Sequence, residues 1–142
     1  QSFFSHITGF TKTDKENDSL SYTFKNNYLI NKGIVRYKSI VIDDAKTQSD
    51  LEKAVNAQAG KMFADCVAYD LSCEGHILID NQLCKKGLCV CVKAPKAMIH
   101  RETNFVARNI KLVRTGDQKT TQLSLVLPGS YTGNIPEVLP WE

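Results

Sequence analysis

Residues 49–67 read SDLEKAVNAQAGKMFADCV, and this stretch decides the fold. Its apolar residues recur at helical spacing with polar residues between them. Ser49 and Glu52 have the spacing of a capping box, in which each side chain accepts a hydrogen bond from the other residue's backbone N–H. The pattern predicts an amphipathic helix over about 49–67, in which Gly60 indicates a close approach to a sheet. The predicted buried stripe is Leu51, Val55, Ala59, Met62 and Cys66, widened by Ala54 and Phe63.

The segment before this helix has strand character. Residues 20–30 begin with alternating apolar and polar side chains, and residues 34–42 are rich in β-branched residues. Between them, Asn31, Lys32 and Gly33 have turn composition. The sequence therefore predicts a β-hairpin over residues 20–42.

Two further strand pairs are predicted after the helix, with turns at residues 85–87 and 115–118. The four strands are residues 76–80, 88–93, 105–114 and 121–127. Two strands, one long helix and then four strands predict an α+β fold, with the helix on a mostly antiparallel sheet of five to six strands.

Both ends of the chain carry aromatic residues beside polar or proline-rich sequence. Helical spacing of Phe3, Ile7 and Phe10 predicts a short helix, and residues 11–19 are polar. We therefore divide the chain into an aromatic peptide with its linker (1–19), a single domain (20–128) and an apolar tail (129–142). Docking on the chain's own domain and binding of a partner protein are both open for these ends. The predicted partner-binding residues are Phe3, Phe4, Ile7, Phe10 and Trp141.

The net charge of +3 over 142 residues points to no particular partner, but the charges are unevenly distributed. Between residues 84 and 119, nine basic residues face only Glu102 and Asp117. This asymmetry makes nucleic-acid binding an alternative function, although Phe105 is the only aromatic residue in the window. The candidate anion-binding residues are Lys85, Lys86, Lys93, Lys96, Arg101, Arg108, Lys111 and Arg114.

The five cysteines allow three interpretations. Disulfides are the favoured one, and free core thiols and a structural zinc site that includes His76 are the alternatives. A pairing across the turn at residues 85–87 would join Cys84 to Cys89. The candidates for disulfides are Cys66, Cys73, Cys84, Cys89 and Cys91. We expect no bound metal and no cofactor.

No familiar catalytic motif occurs in the sequence, so catalysis is disfavoured. No apolar run approaches the ~18 residues that span a bilayer. Gln1 in place of Met indicates an upstream segment that was removed, as in an exported protein or, alternatively, a viral polyprotein. The sequence therefore predicts a non-catalytic protein-interaction or assembly module, secreted or periplasmic, with a protein partner. The oligomeric state stays open.

Overall fold

The computed structural model describes residues 3–12, 19–79, 82–133 and 138–142. Parts of the predicted linker (13–18) and tail (134–137) lie outside these ranges, as does Asp80 at the end of a predicted strand. The fold is α+β with one main helix, as predicted. The helices are α1 Asn27–Asn31, α2 Gln48–Cys66 and α3 Gly129–Thr132. The strands are β1 His6–Phe10, β2 Ser21–Lys25, β3 Tyr37–Val41, β4 Ala68–Glu74, β5 Ile77–Ile79, β6 Gln82–Leu83, β7 Cys89–Ala94, β8 Ile99–Thr115 and β9 Gln118–Val126.

The chain folds as two compact units. The first unit comprises Gln1–Cys66 and Gly129–Glu137, and the second comprises Val67–Pro128 and Val138–Glu142. The described strands form sheets of three, four and two strands, so the strands predicted for one sheet of five to six are divided among three sheets. The predicted pairing of residues 76–80 with 88–93 is wrong, because β5 pairs with β6 and β7 pairs with β8. The predicted boundaries at 19/20 and 128/129 stay predictions.

The first unit contains a three-stranded sheet with β1 in its centre. Its order is β2-β1-β3, and β1 runs antiparallel to β2 and parallel to β3. The predicted helix near the N-terminus is therefore wrong. Every second residue, Ser5, Ile7 and Gly9, is buried, because α2 covers that side of β1. Burial of every second residue is the pattern of a strand and not of a helix.

The predicted hairpin over residues 20–42 is also wrong, because β2 and β3 lie on opposite sides of β1. The supposed turn residues instead end the helix α1. The Lys32 N–H donates to the Leu29 carbonyl at 3.1 Å, and the Gly33 N–H donates to the Ile30 carbonyl at 2.9 Å. Such bonds satisfy carbonyls that the end of a helix leaves free.

Helix α2 packs on β1 and β2, and its buried side matches the predicted stripe over most of its length. Leu51, Val55, Ala59 and Phe63 are buried. Met62 is partly buried and packs against the cluster that includes Ile7.

Two details of α2 differ from the prediction. The capping residue is Thr47, whose hydroxyl accepts the Asp50 N–H at 3.2 Å and donates to the Asp50 carboxylate at 2.8 Å. Ser49 lies inside the helix because this earlier pair already satisfies the first turn. Gly60 faces the backbone of Ser130 in α3, where a Cβ atom would meet the Ser130 carbonyl. The close approach is therefore to a helix and not to a sheet.

The second unit contains a four-stranded antiparallel sheet of order β4-β9-β8-β7. The predicted strand pair around residues 115–118 is confirmed as β8 and β9. Strand β4 was not predicted. Its half-buried Tyr69 packs edge-on against the buried Phe105, with ring centroids 5.4 Å apart. Within the described ranges, no helix is both long and apolar enough to cross a membrane.

Replacing Leu51 by alanine should lower the free energy of unfolding by about 2–5 kcal/mol, because it removes a fully buried side chain. The matched control Lys53→Ala, on the exposed side of the same helix, should change it by less than about 0.5 kcal/mol. Urea unfolding followed by circular dichroism measures both. Equal losses would contradict the orientation of α2.

Candidate functional site

The side of the three-stranded sheet that faces away from α2 is exposed, and we call it the open face. Tyr22, Phe24, Ile40 and Ile42 pack with the α2 cluster, so their sequence neighbours point to the opposite side. The open face comprises His6, Thr8 and Phe10 on β1, Ser21, Thr23 and Lys25 on β2, and Tyr37, Ser39 and Val41 on β3. It is a mixed apolar and polar surface on regular strands.

Contacts between neighbouring strands order the open face. The rings of His6 and Tyr37 stack at 4.7 Å between centroids. The Nδ1 atom of His6 also lies within hydrogen-bonding distance of the Ser5 hydroxyl, at 2.8 Å. The hydroxyls of Thr8 and Thr23 lie 2.9 Å apart. These contacts hold side chains of the open face in defined positions.

The apolar part of the open face lies at one side of the sheet. The side chain of Tyr37 is 70% exposed, that of Val41 48% and that of Phe10 37%. Strand β3, which carries two of the three, is an edge of the sheet. Sequence reasoning missed this surface because it paired β3 with β2. The alternation of Tyr37, Ser39 and Val41 was a signal that could have found it.

Three of the predicted partner-binding residues contact their own unit. The ring of Phe3 stacks on Phe63 at 6.2 Å, Phe4 packs against the α2 cluster, and Ile7 is part of that buried cluster. Phe10 belongs to the open face, and Trp141 in the second unit is 36% exposed. A role for these residues in partner binding stays a prediction.

The candidate anion-binding residues are spread along the second unit. Arg101 and Arg114 lie near opposite ends of β8, about 40 Å apart along an extended strand. Lys85 and Lys86 precede β7, whereas Lys96 follows it. The guanidinium of Arg101 donates to the Leu139 carbonyl at 3.2 Å. These residues extend along β7 and β8, and their role in anion binding stays a prediction.

All five cysteines are free thiols, so the predicted disulfides are not supported. The predicted bond between Cys84 and Cys89 is not formed: Cys84 is buried, whereas Cys89 and Cys91 are exposed on β7. The last two are alternate strand residues whose side chains project in parallel, about 7 Å apart at the Cα atoms, which does not suit a disulfide. Burial raises the pKa of the Cys66 thiol above its usual value. Among the described residues, no three His, Cys, Asp or Glu side chains are grouped closely enough to hold a metal ion.

A cavity of about 490 Å³ lies on the four-stranded sheet. Its polar lining residues are Asp70, Ser72, Asn109, Lys111, Gln122 and Ser124. The Ser124 hydroxyl donates to the Asp70 carboxylate at 2.7 Å. The arrangement offers hydrogen bonds to a small polar molecule and pairs no nucleophile with a histidine base among these residues.

The fold is similar to that of two tail proteins. A tail protein from Neisseria meningitidis MC58 superposes with a TM-score of 0.70 at 21% identity, over 92% of this chain and 37% of its own. The 43 kDa tail protein of prophage MuSo2 from Shewanella oneidensis gives a TM-score of 0.74 at 13% identity, over 89% of this chain and 38% of its own. This chain thus spans less than two-fifths of either protein. No protein-family model and no curated protein sequence matches it.

The cysteines should differ in reactivity towards a thiol reagent such as dithionitrobenzoate. In the native protein at about pH 8, Cys89 and Cys91 should react first because they are exposed, and the buried Cys84 last. The raised pKa of Cys66 leaves less thiolate at a given pH, so its labelling should become fast only at a higher pH than that of an exposed thiol. Mass spectrometry of labelled peptides assigns each site, and guanidinium-unfolded protein, in which all five react, is the control. Fast native labelling of Cys84 would contradict this order.

Proposed function

We propose that this chain is a non-catalytic assembly domain of a phage or prophage tail structure, where it binds other protein subunits. One observation carries the proposal. Nearly the whole chain shares its fold with parts of two tail proteins from different bacteria. Because fold alone does not determine function, the proposal also needs a surface on this chain that is suited to binding a protein.

The open face supplies that argument. Tyr37, Val41 and Phe10 expose apolar area on a rigid sheet, and such surface is unfavourable in water unless another protein covers it. Tyrosine is also enriched at protein interfaces, since its ring is apolar and its hydroxyl can bond at the rim. A partner that buries these side chains would gain affinity by apolar contacts.

We further propose that the terminal aromatic residues take part in such contacts. Phe10 on the open face and Trp141 near the end of the second unit are the exposed members of the predicted set. Phe3, Phe4 and Ile7 would act indirectly, because their side chains hold β1 against α2. A viral or prophage origin is the part of the localisation hypothesis that the fold similarity supports. Export and removal of an upstream segment stay predictions.

Nucleic-acid binding by the basic residues is the alternative. Lys85, Lys86, Lys93, Lys96, Arg101, Arg108, Lys111 and Arg114 would have to act together in that case. Their spread along β7 and β8 favours it less than a compact patch would. The two functions differ in salt dependence, since contacts with phosphate weaken steeply as salt rises and apolar contacts do not.

The test uses tail particles purified from the phage or induced prophage that encodes this chain. We expect the chain to sediment with the particles, and to remain bound in about 0.5 M salt. Phe10→Ser and Trp141→Ser should lower the amount bound by about tenfold or more, because each removes an exposed aromatic contact. Thr23→Ser, a polar replacement on the open face, is the matched control.

Absence of the chain from the particles would contradict the assembly function. Incorporation that is lost in moderate salt but unchanged in Phe10→Ser and Trp141→Ser would instead favour the basic residues and an anionic partner. Circular dichroism of each variant shows whether a loss of incorporation follows from unfolding.

A further inference from the structure

Strand β3 has a free edge. Its one neighbour among the described strands is β1. The Arg36 carbonyl accepts the His6 N–H at 3.0 Å, and the Ile42 N–H donates to the Phe10 carbonyl at 3.0 Å. Every second residue of a parallel strand bonds the same neighbour, so the even-numbered residues of β3 bond β1. Tyr37, Ser39 and Val41 therefore direct their N–H and C=O groups outwards.

On the side of the open face, the edge of β3 carries no charged side chain, and its one lysine, Lys38, lies on the opposite side. Proteins shield edge strands with charged side chains, and the other three edge strands of the three- and four-stranded sheets follow this rule on their exposed side. Lys25 lies there on β2, Asp70 on β4 and Lys93 on β7. The corresponding side of β3 carries only Tyr37, Ser39 and Val41, which have no charge.

We propose that β3 pairs antiparallel with β3 of a second copy of this chain, about a two-fold axis at Ser39. The inference rests on the proposed assembly function, and it names a second copy of this chain as one partner in the assembly. The two three-stranded sheets would join into one sheet of order β2-β1-β3-β3-β1-β2 across the two copies. The outward backbone groups of the two strands would form about six hydrogen bonds.

The side chains are self-complementary in this register. With Ser39 opposite its own copy, Tyr37 of each chain lies opposite Val41 of the other. An aromatic residue opposite a β-branched one is a favourable cross-strand pair. The small Ser39 on the axis leaves room for both pairs. A two-fold interface requires such a match of one patch with itself.

The charges at the two ends of β3 favour the antiparallel direction. Arg36 lies just before β3, and Asp44 follows its end, beyond Asp43, which is paired with Lys12 of its own chain at 2.8 Å. With Ser39 on the axis, antiparallel pairing places Arg36 of each chain opposite Ile42 of the other and diagonally beside Asp44. Parallel pairing would align like charges, which repel.

The wild-type chain, studied by sedimentation velocity from about 10 to 500 μM, should pass from monomer to dimer, as expected for a small interface. Ser39→Pro should prevent dimerisation, because it removes an outward N–H on the axis and leaves the bonds to β1 intact. The matched control is Thr23→Pro. The residues that bond β1 next to and within β2 are even-numbered, as shown by the bonds of Asn26 with Ser5 and of Leu20 with Thr11. Thr23, which lies opposite Thr8, therefore also directs its N–H outwards, from the edge of β2. The Thr23→Pro variant should dimerise like the wild type.

A charge exchange tests the register. Tyr37→Lys should weaken dimerisation by about tenfold or more, since both Tyr–Val pairs are lost. The double variant Tyr37→Lys/Val41→Glu should form the dimer again at low salt, because each lysine then lies opposite a glutamate of the other chain. The restored dimer should weaken as salt rises.

A wild-type chain that stays monomeric at 500 μM would overturn the pairing, as would equal weakening by Ser39→Pro and Thr23→Pro. Failure of Val41→Glu to rescue Tyr37→Lys would overturn the register. Neither result would affect the proposed assembly function, which is tested by incorporation into tail particles. If the wild-type chain dimerises but is absent from the tail particles, the assembly function alone would be overturned.

Discussion

The first unit depends on the close contact between α2 and the central strand β1 at Gly9. A Cβ atom at this position would collide with the Cγ2 methyl of Val55. The end methyls of Ile42 and Leu51 would lie 3.3 and 3.4 Å from it. The helix therefore rests on the backbone of β1, and no larger residue fits without moving it. This contact brings the apolar stripe of α2 within reach of side chains from all three strands.

The position of β1 in the sheet follows from the same contact. The strand that lies under the helix has to bond on both sides, since its backbone groups are removed from water. Ser5, just before β1, completes this bonding, because its buried hydroxyl accepts the Arg36 N–H and donates to the Arg36 carbonyl, both at 2.7 Å. With β1 in the middle, β3 becomes an edge and the open face is formed on the side opposite the helix. The candidate functional surface is thus a consequence of how the core is covered.

The sequence predicted the elements whose signals are local and missed those that depend on strand order. The stripe of α2 and the hairpin of β8 and β9 could be predicted, because side-chain period and turn composition act over a few residues. The N-terminal strand could not, since Phe3, Ile7 and Phe10 also fit a helix and only the contact of Ile7 and Gly9 with α2 excludes it. The open face was missed for a related reason. Its residues come from three strands, and the register that unites them is fixed by pairing between distant segments.

The contact of Gly60 with the Ser130 backbone has a consequence for synthesis of the chain. The first unit is discontinuous, and its short helix α3 is translated only after all the strands of the second unit. On a ribosome, the second unit can complete its sheet while the first still exposes the side of α2 around Gly60. That apolar surface stays in water for the time needed to translate more than sixty residues, which is several seconds at ordinary elongation rates. During this interval the side of α2 around Gly60 lacks the cover that α3 gives it in the finished fold.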